Sequence, residues 1–84
     1  MLVTVSYFAR LRELAGCHTW TCEVPDGAIV RDVWEAGAVR FPATAVMATS
    51  LSCAVNADFS RMDAPVRDGD EVAFLPPVSG GNWT

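Results

Sequence analysis

The chain predicts an α+β fold in which one long helix packs on a mixed sheet of four or five strands. Runs at 2–8, 19–24, 52–56 and 71–75 alternate larger apolar residues with small or polar ones, the period of a half-buried strand. The segment 28–41 instead spaces its apolar residues at the period of a helix. Size supplies the third observation. A chain of 84 residues makes one domain, and such a domain buries roughly 60–65% of its unfolded surface, so helix and sheet must share a single core.

Leu2 to Phe8 opens the chain as a strand with Val3, Val5 and Tyr7 on one face and Leu2, Thr4, Ser6 and Phe8 on the other. Ala9 to Ala15 sets Leu11 and Leu14 three apart among charged residues, and Gly16 stands where a C-terminal cap belongs, so a short helix follows. Trp20, Cys22 and Val24 face inward from the next strand, antiparallel to the first, before a turn at Pro25–Gly27. Ile29, Val30, Val33, Trp34, Ala38 and Phe41 then mark the main helix, which Pro42 stops. Gly37 inside it costs about 1 kcal/mol relative to alanine, which implies either close packing on the sheet or a weak point.

Residues 42–50 are small and poorly periodic and read as a loop or a frayed short helix. Ser52–Asn56 makes a third strand with Cys53 and Val55 inward, Ala57-Asp58 turns the chain, and Phe59 and Ser60 begin a short edge element. Asp68–Asp70 is a turn before the last strand, Glu71–Leu75.

Composition narrows the function. The net charge of −4 and six dispersed arginines give nucleic acid no basic patch to meet. No apolar run is long enough to span a bilayer, and the first twenty residues lack an export signal, so the expected location is the cytoplasm. Three cysteines, Cys17, Cys22 and Cys53, form no C-x-x-C pair, which fits free thiols in a reducing compartment and no metal site. His18 is the single histidine; a thiol–imidazole pair with Cys17 is disfavoured because neighbours on a strand point to opposite faces. No self-sufficient catalytic set is legible. There is no lysine, so the chain cannot be linked to itself through a side-chain amine.

The segment 1–75 reads as the folded domain and 76–84 as an extended tail. Pro76 and Pro77 remove two consecutive backbone donors, so sheet pairing should stop there. Prolines hold the first part of the tail extended, while Gly80 and Gly81 allow another protein's backbone or a narrow tunnel to approach. From Pro76 to Gly81 the reach is roughly 20 Å at the extended-chain rise, enough to enter a neighbour's active site. Phe8 and Leu75 lie opposite the inward sets and Phe59 near an edge, so these three are the expected apolar anchors for a partner.

Phe8–Gly16 (FARLRELAG), Val55-Asn56, Asp68–Val72 (DGDEV) and Phe74–Gly81 (FLPPVSGG) together resemble the small, sulfur-carrying subunit of molybdopterin synthase. The resemblance spans residues 2–81 and implies a ubiquitin-like β-grasp fold. It also implies a mechanism. A ubiquitin-activating-type enzyme uses ATP to adenylate the terminal glycine, a sulfur donor converts the adenylate to a thiocarboxylate, and the large synthase subunit supplies the catalytic side chains for transfer to cyclic pyranopterin monophosphate. On this reading the carrier holds no bound cofactor. Gly81 bears the sulfur, Gly80 passes the tunnel, and Pro76, Pro77, Val78 and Ser79 join Phe8, Phe59 and Leu75 in partner binding. Other pathways served by such carriers, in thiazole, amino-acid or tRNA thiolation, stay open, as does a β-grasp interaction module or protein modifier without sulfur chemistry.

One departure from the family pattern matters chemically. Members usually end at the second glycine, whereas here Asn82-Trp83-Thr84 follow and the Gly81 carbonyl is an amide. The resemblance therefore implies a peptidase that removes the last three residues. Residues added in cloning, a trimmed fusion to the large subunit, or a paralogue that docks without carrying sulfur fit the same extension.

Overall fold

The computed structural model describes residues 1–77. Five strands form one sheet in the order β2-β1-β5-β3-β4: β1 is Leu2–Tyr7, β2 Thr19–Glu23, β3 Ser52–Val55, β4 Asp58–Ser60 and β5 Glu71–Leu75. β1 and β5 run parallel at the centre, and the other neighbours are antiparallel. Helix α1 spans Arg10–Ala15 and helix α2 spans Val30–Arg40. The mixed five-stranded sheet with one main helix is the architecture expected of a β-grasp fold.

Register explains the core. Trp20, Val5, Val72 and Val55 form one row across the inner face, and Tyr7, Phe74, Cys53 and Ser60 form the next. Val5, Tyr7, Val72 and Phe74 have no exposed surface, and Val30, Val33 and Trp34 of α2 close over them. Trp34 meets Phe74 edge-on at 5.2 Å. Trp20 and Phe41, expected in the core, are half-buried at its margin and stack edge-to-face at 5.4 Å. Leu11 is the one fully buried residue of α1, and Gly16 caps that helix in the left-handed region, its N–H donating to Arg12.

Gly37 is explained by close packing rather than by a weak point. A β-carbon built there would collide with the Tyr7 hydroxyl, which itself accepts a hydrogen bond from Trp20 Nε1 at 3.1 Å. The glycine lets α2 approach the sheet at the point where a buried tyrosine and a tryptophan meet.

The stretch after α2 is more ordered than the sequence suggested. Residues Pro42–Met47 form a 3₁₀ helix, with Thr44 wholly buried and its Oγ1 donating to the Phe41 carbonyl at 2.8 Å. The loop 61–66 satisfies the start of α2: Val30 N–H donates to Ala64 and Arg31 N–H to Met62. Asp32 accepts the Ile29 N–H at 2.9 Å in the same turn. The β3–β4 turn centres on Asn56 and Ala57, one residue earlier than expected. Both have positive φ, 51° and 73°, as a two-residue hairpin turn of the primed type requires.

Candidate functional site

The tail is rooted in the middle of the sheet. β5 pairs with β1 on one side and β3 on the other, so a chain continuing as strand would need its N–H groups. Pro76 and Pro77 have none, and β5 ends at Leu75. Its root is fixed from both sides, by the Phe8 N–H donating to Phe74 at 3.3 Å and by Ser52 opposite Leu75. Pro76 is half-buried and Pro77 exposed. Val78, Ser79, Gly80, Gly81 and the extension Asn82-Trp83-Thr84 lie outside the described residues.

Register also places the expected anchors on one face. Ser6, Ala73, Ala54 and Phe59 form a row across β1, β5, β3 and β4 on the side of the sheet away from α2. Phe8 and Leu75 stand one row further toward the tail. At the usual strand spacing, Phe8 and Phe59 are separated by about 14 Å across the sheet. The residues between are small, and Ser6 and Ala54 are buried although they lie on this outer face. The outer face is thus a run of small residues, Ser6, Ala73 and Ala54, flanked by Phe8 and Leu75 toward the tail and by Phe59 on the edge strand. Phe59 is 80% exposed and Phe8 39%, while Leu75 is half-buried. Large exposed aromatics around small sheet residues are suited to contact with another protein.

Phe8 is held by its neighbours. Ala9 follows it with φ 53° and ψ −126°, a conformation that L-residues rarely adopt and that costs of order 1–3 kcal/mol. It makes the tight turn from β1 into α1, closed by Leu11 N–H donating to Phe8 at 3.1 Å. The His18 ring meets the Phe8 ring edge-on at 5.2 Å. Nothing in the sequence marks this turn, because alanine carries no turn signal.

The blocks Val55-Asn56 and Asp68–Val72 serve the start of β5. Asn56 Nδ2 donates to Asp70 Oδ1 at 3.0 Å, and Glu71 N–H donates to Asn56 Oδ1 at 3.0 Å. Arg67 N–H donates to Asp70 Oδ2 at 2.8 Å, and Leu2 N–H to Asp68 Oδ1 at 2.7 Å. These contacts set the register of the tail-bearing strand against β1 and β3. The hydrogen bond from Asn56, then that from the Arg67 backbone, lowers the Asp70 pKa below the usual carboxylate value.

A group with a depressed folded pKa stabilises the fold above its unfolded pKa, and that contribution is lost as pH falls through the folded one. Asp70→Asn should therefore lose less stability than the parent chain between neutral and acid pH, measured as the shift in urea midpoint. An unchanged acid dependence would remove Asp70 from the account.

Among the described residues no catalytic centre is assembled. Cys17 and His18 line a shallow depression with Ala9, Arg12, Glu13 and Gly16, and His18 is exposed and turned to Phe8. Burial raises the pKa of Cys22 and Cys53, so their thiols stay protonated. Among the described residues no cluster of His, Cys, Asp or Glu has the makings of a metal site. No helix of the described residues is long and apolar enough to cross a membrane.

The fold is a β-grasp domain whose central strand ends at Leu75 before two prolines, on a sheet that bears the exposed Phe8 and Phe59 on its outer face. The chain belongs to the ThiS family, whose match covers residues 5–81. It is 37% identical to the molybdopterin synthase sulfur carrier subunit of Chlamydomonas reinhardtii, over 96% of this chain and all of that one. The fold is shared with a putative molybdopterin converting factor, subunit 1, from Pyrococcus furiosus, at 35% identity and TM-score 0.82, covering 93% of this chain and 99% of that one. It is likewise shared with SAMP1, the small archaeal modifier protein 1 of Haloferax volcanii, at 27% identity and TM-score 0.84, covering 96% of this chain and all of that one.

Proposed function

We propose that this chain is a sulfur carrier for molybdenum cofactor biosynthesis, the small subunit of a molybdopterin synthase. The observation that carries the reading is the coupling of a sulfur-carrier relative of nearly equal length to a tail that leaves the central strand beside an apolar face. In the proposed cycle the free Gly81 carboxylate attacks ATP on an adenylating enzyme of the ubiquitin-activating type and pyrophosphate leaves. Hydrosulfide from the sulfur donor then attacks the acyl carbon and displaces AMP, leaving a thiocarboxylate and a released proton. Phe8, Phe59 and Leu75 dock the domain on the large subunit. Pro76 to Ser79 span the distance, Gly80 threads the passage, and Gly81 presents sulfur to cyclic pyranopterin monophosphate. The catalytic side chains belong to the large subunit.

The amide at Gly81 must be opened first, by a peptidase that removes Asn82-Trp83-Thr84 in the native cell. The test compares the full chain with a chain ending at Gly81, each incubated with ATP, an activating enzyme and a sulfur donor. The shorter chain should gain the mass of sulfur replacing oxygen, and the longer one should not. No adenylate on the shorter chain would overturn the carrier reading. The likeness to a small archaeal modifier protein favours a second reading, in which the opened terminus is joined to a lysine on another protein. Transfer of the activated chain to a substrate lysine would select it.

A further inference from the structure

Any protein that carries an activated C-terminal acyl group faces a side reaction with its own copies, because amines attack acyl adenylates and thioesters. The usual acceptor is the lysine ε-amine, a nucleophile once deprotonated. All six cationic side chains here are arginines, Arg10, Arg12, Arg31, Arg40, Arg61 and Arg67, and all six are exposed. Guanidinium stays protonated and carries no lone pair for attack. The surface keeps its positive charges without a side-chain amine.

The other candidate nucleophiles are engaged, buried or reversible in their products. The Met1 ammonium donates to the Val24 carbonyl at 2.7 Å and lies 4.0 Å from the Asp26 carboxylate. Cys22 and Cys53 are buried, their Sγ atoms against the Glu23 and Ser60 carbonyls. Cys17 is half-buried. Acyl transfer to it would give a thioester that free thiol reverses.

We infer that this is a donor-only surface: an activated Gly81 acyl group on one copy meets no side-chain amine on another and finds the Met1 amine hydrogen-bonded to Val24, so it persists until the intended acceptor arrives. The inference rests on the carrier reading for its purpose, but its chemistry is testable without it. In the reaction avoided, an amine nitrogen attacks the acyl carbon, the C–S or C–O bond to the leaving group breaks, and the amine proton departs with that group.

Every strand and helix described lies between Leu2 and Leu75, so a chain ending at Gly81 keeps them all. The experiment uses that chain as its C-terminal thioester with a small thiol, held in mildly alkaline buffer with excess thiol. The parent sequence should show only hydrolysis and thiol exchange by intact mass. Arg67→Lys and Arg31→Lys, each with a side chain at the surface, should form thiol-resistant dimers with loss of the small thiol. Thiol-resistant dimers or cyclised monomers of the parent would overturn the inference, as would lysine variants as inert as the parent. Failure of enzymatic adenylation would sink the carrier reading and leave the thioester result standing.

Discussion

Phe59→Asp is expected to weaken binding to the proposed partner, a large synthase subunit, by at least about 30-fold, the equivalent of an interface hot spot worth ~2 kcal/mol. Phe59 sits on the short edge strand β4, opposite Ala54, with most of its ring in solvent. A carboxylate there buries nothing in the free domain, so urea unfolding should be nearly unchanged. In a complex the same carboxylate would be desolvated without a partner, and the ring's apolar area would be lost as well. Phe8→Asp should act in the same direction with a larger stability loss, because Phe8 is less exposed and touches His18. Titration calorimetry against the large subunit, alongside urea melts, separates the two effects. Full-strength binding by Phe59→Asp would remove the outer face as the docking surface, whereas unfolding would reassign Phe59 to the structure of β4.

Gly37→Ala is expected to destabilise the domain although alanine is the better helix former. The new methyl regains about 1 kcal/mol of helix propensity, while forcing extra volume into a packed core typically costs 1–3 kcal/mol. Here the cost should fall at the upper end. The obstructing atom is the Tyr7 hydroxyl, and its ring is held by Phe41 at 6.0 Å, by Phe74 at 6.3 Å and by the Trp20 hydrogen bond. The expected net loss is about 1–2 kcal/mol, a fall in Tm of roughly 4–16 °C for a domain of this size. Tyr7→Phe removes the atom in the way, so Gly37→Ala should cost less in that background. Additive effects of the two substitutions in a double-mutant cycle would show that the helix and the tyrosine are not in conflict.

The end of β5 and the faces of its residues were legible because those signals are local. A strand that runs into two prolines declares its end, since proline lacks a donor whatever surrounds it. Parity alone put Phe8 and Leu75 on the face opposite Val5, Tyr7, Val72 and Phe74. Other features left no local trace. Thr44 reads as a polar residue in a small, neutral loop, yet it is wholly buried because its hydroxyl finds the Phe41 carbonyl. The strained turn at Ala9 likewise has no compositional mark, being imposed by β1 and α1 at its two ends.

The sequence by itself determined the strands and the main helix, the absence of lysine, and the amide that joins Gly81 to Asn82, because periodicity and functional-group inventory belong to the covalent chain. Only tertiary structure decided that β5 lies between β1 and β3, that Phe59 shares a row with Ser6, Ala73 and Ala54, and that Gly37 exists for Tyr7. Those are facts of pairing order and close approach between segments far apart in the chain. A local pattern encodes which face a side chain takes, but not which strand will stand beside it.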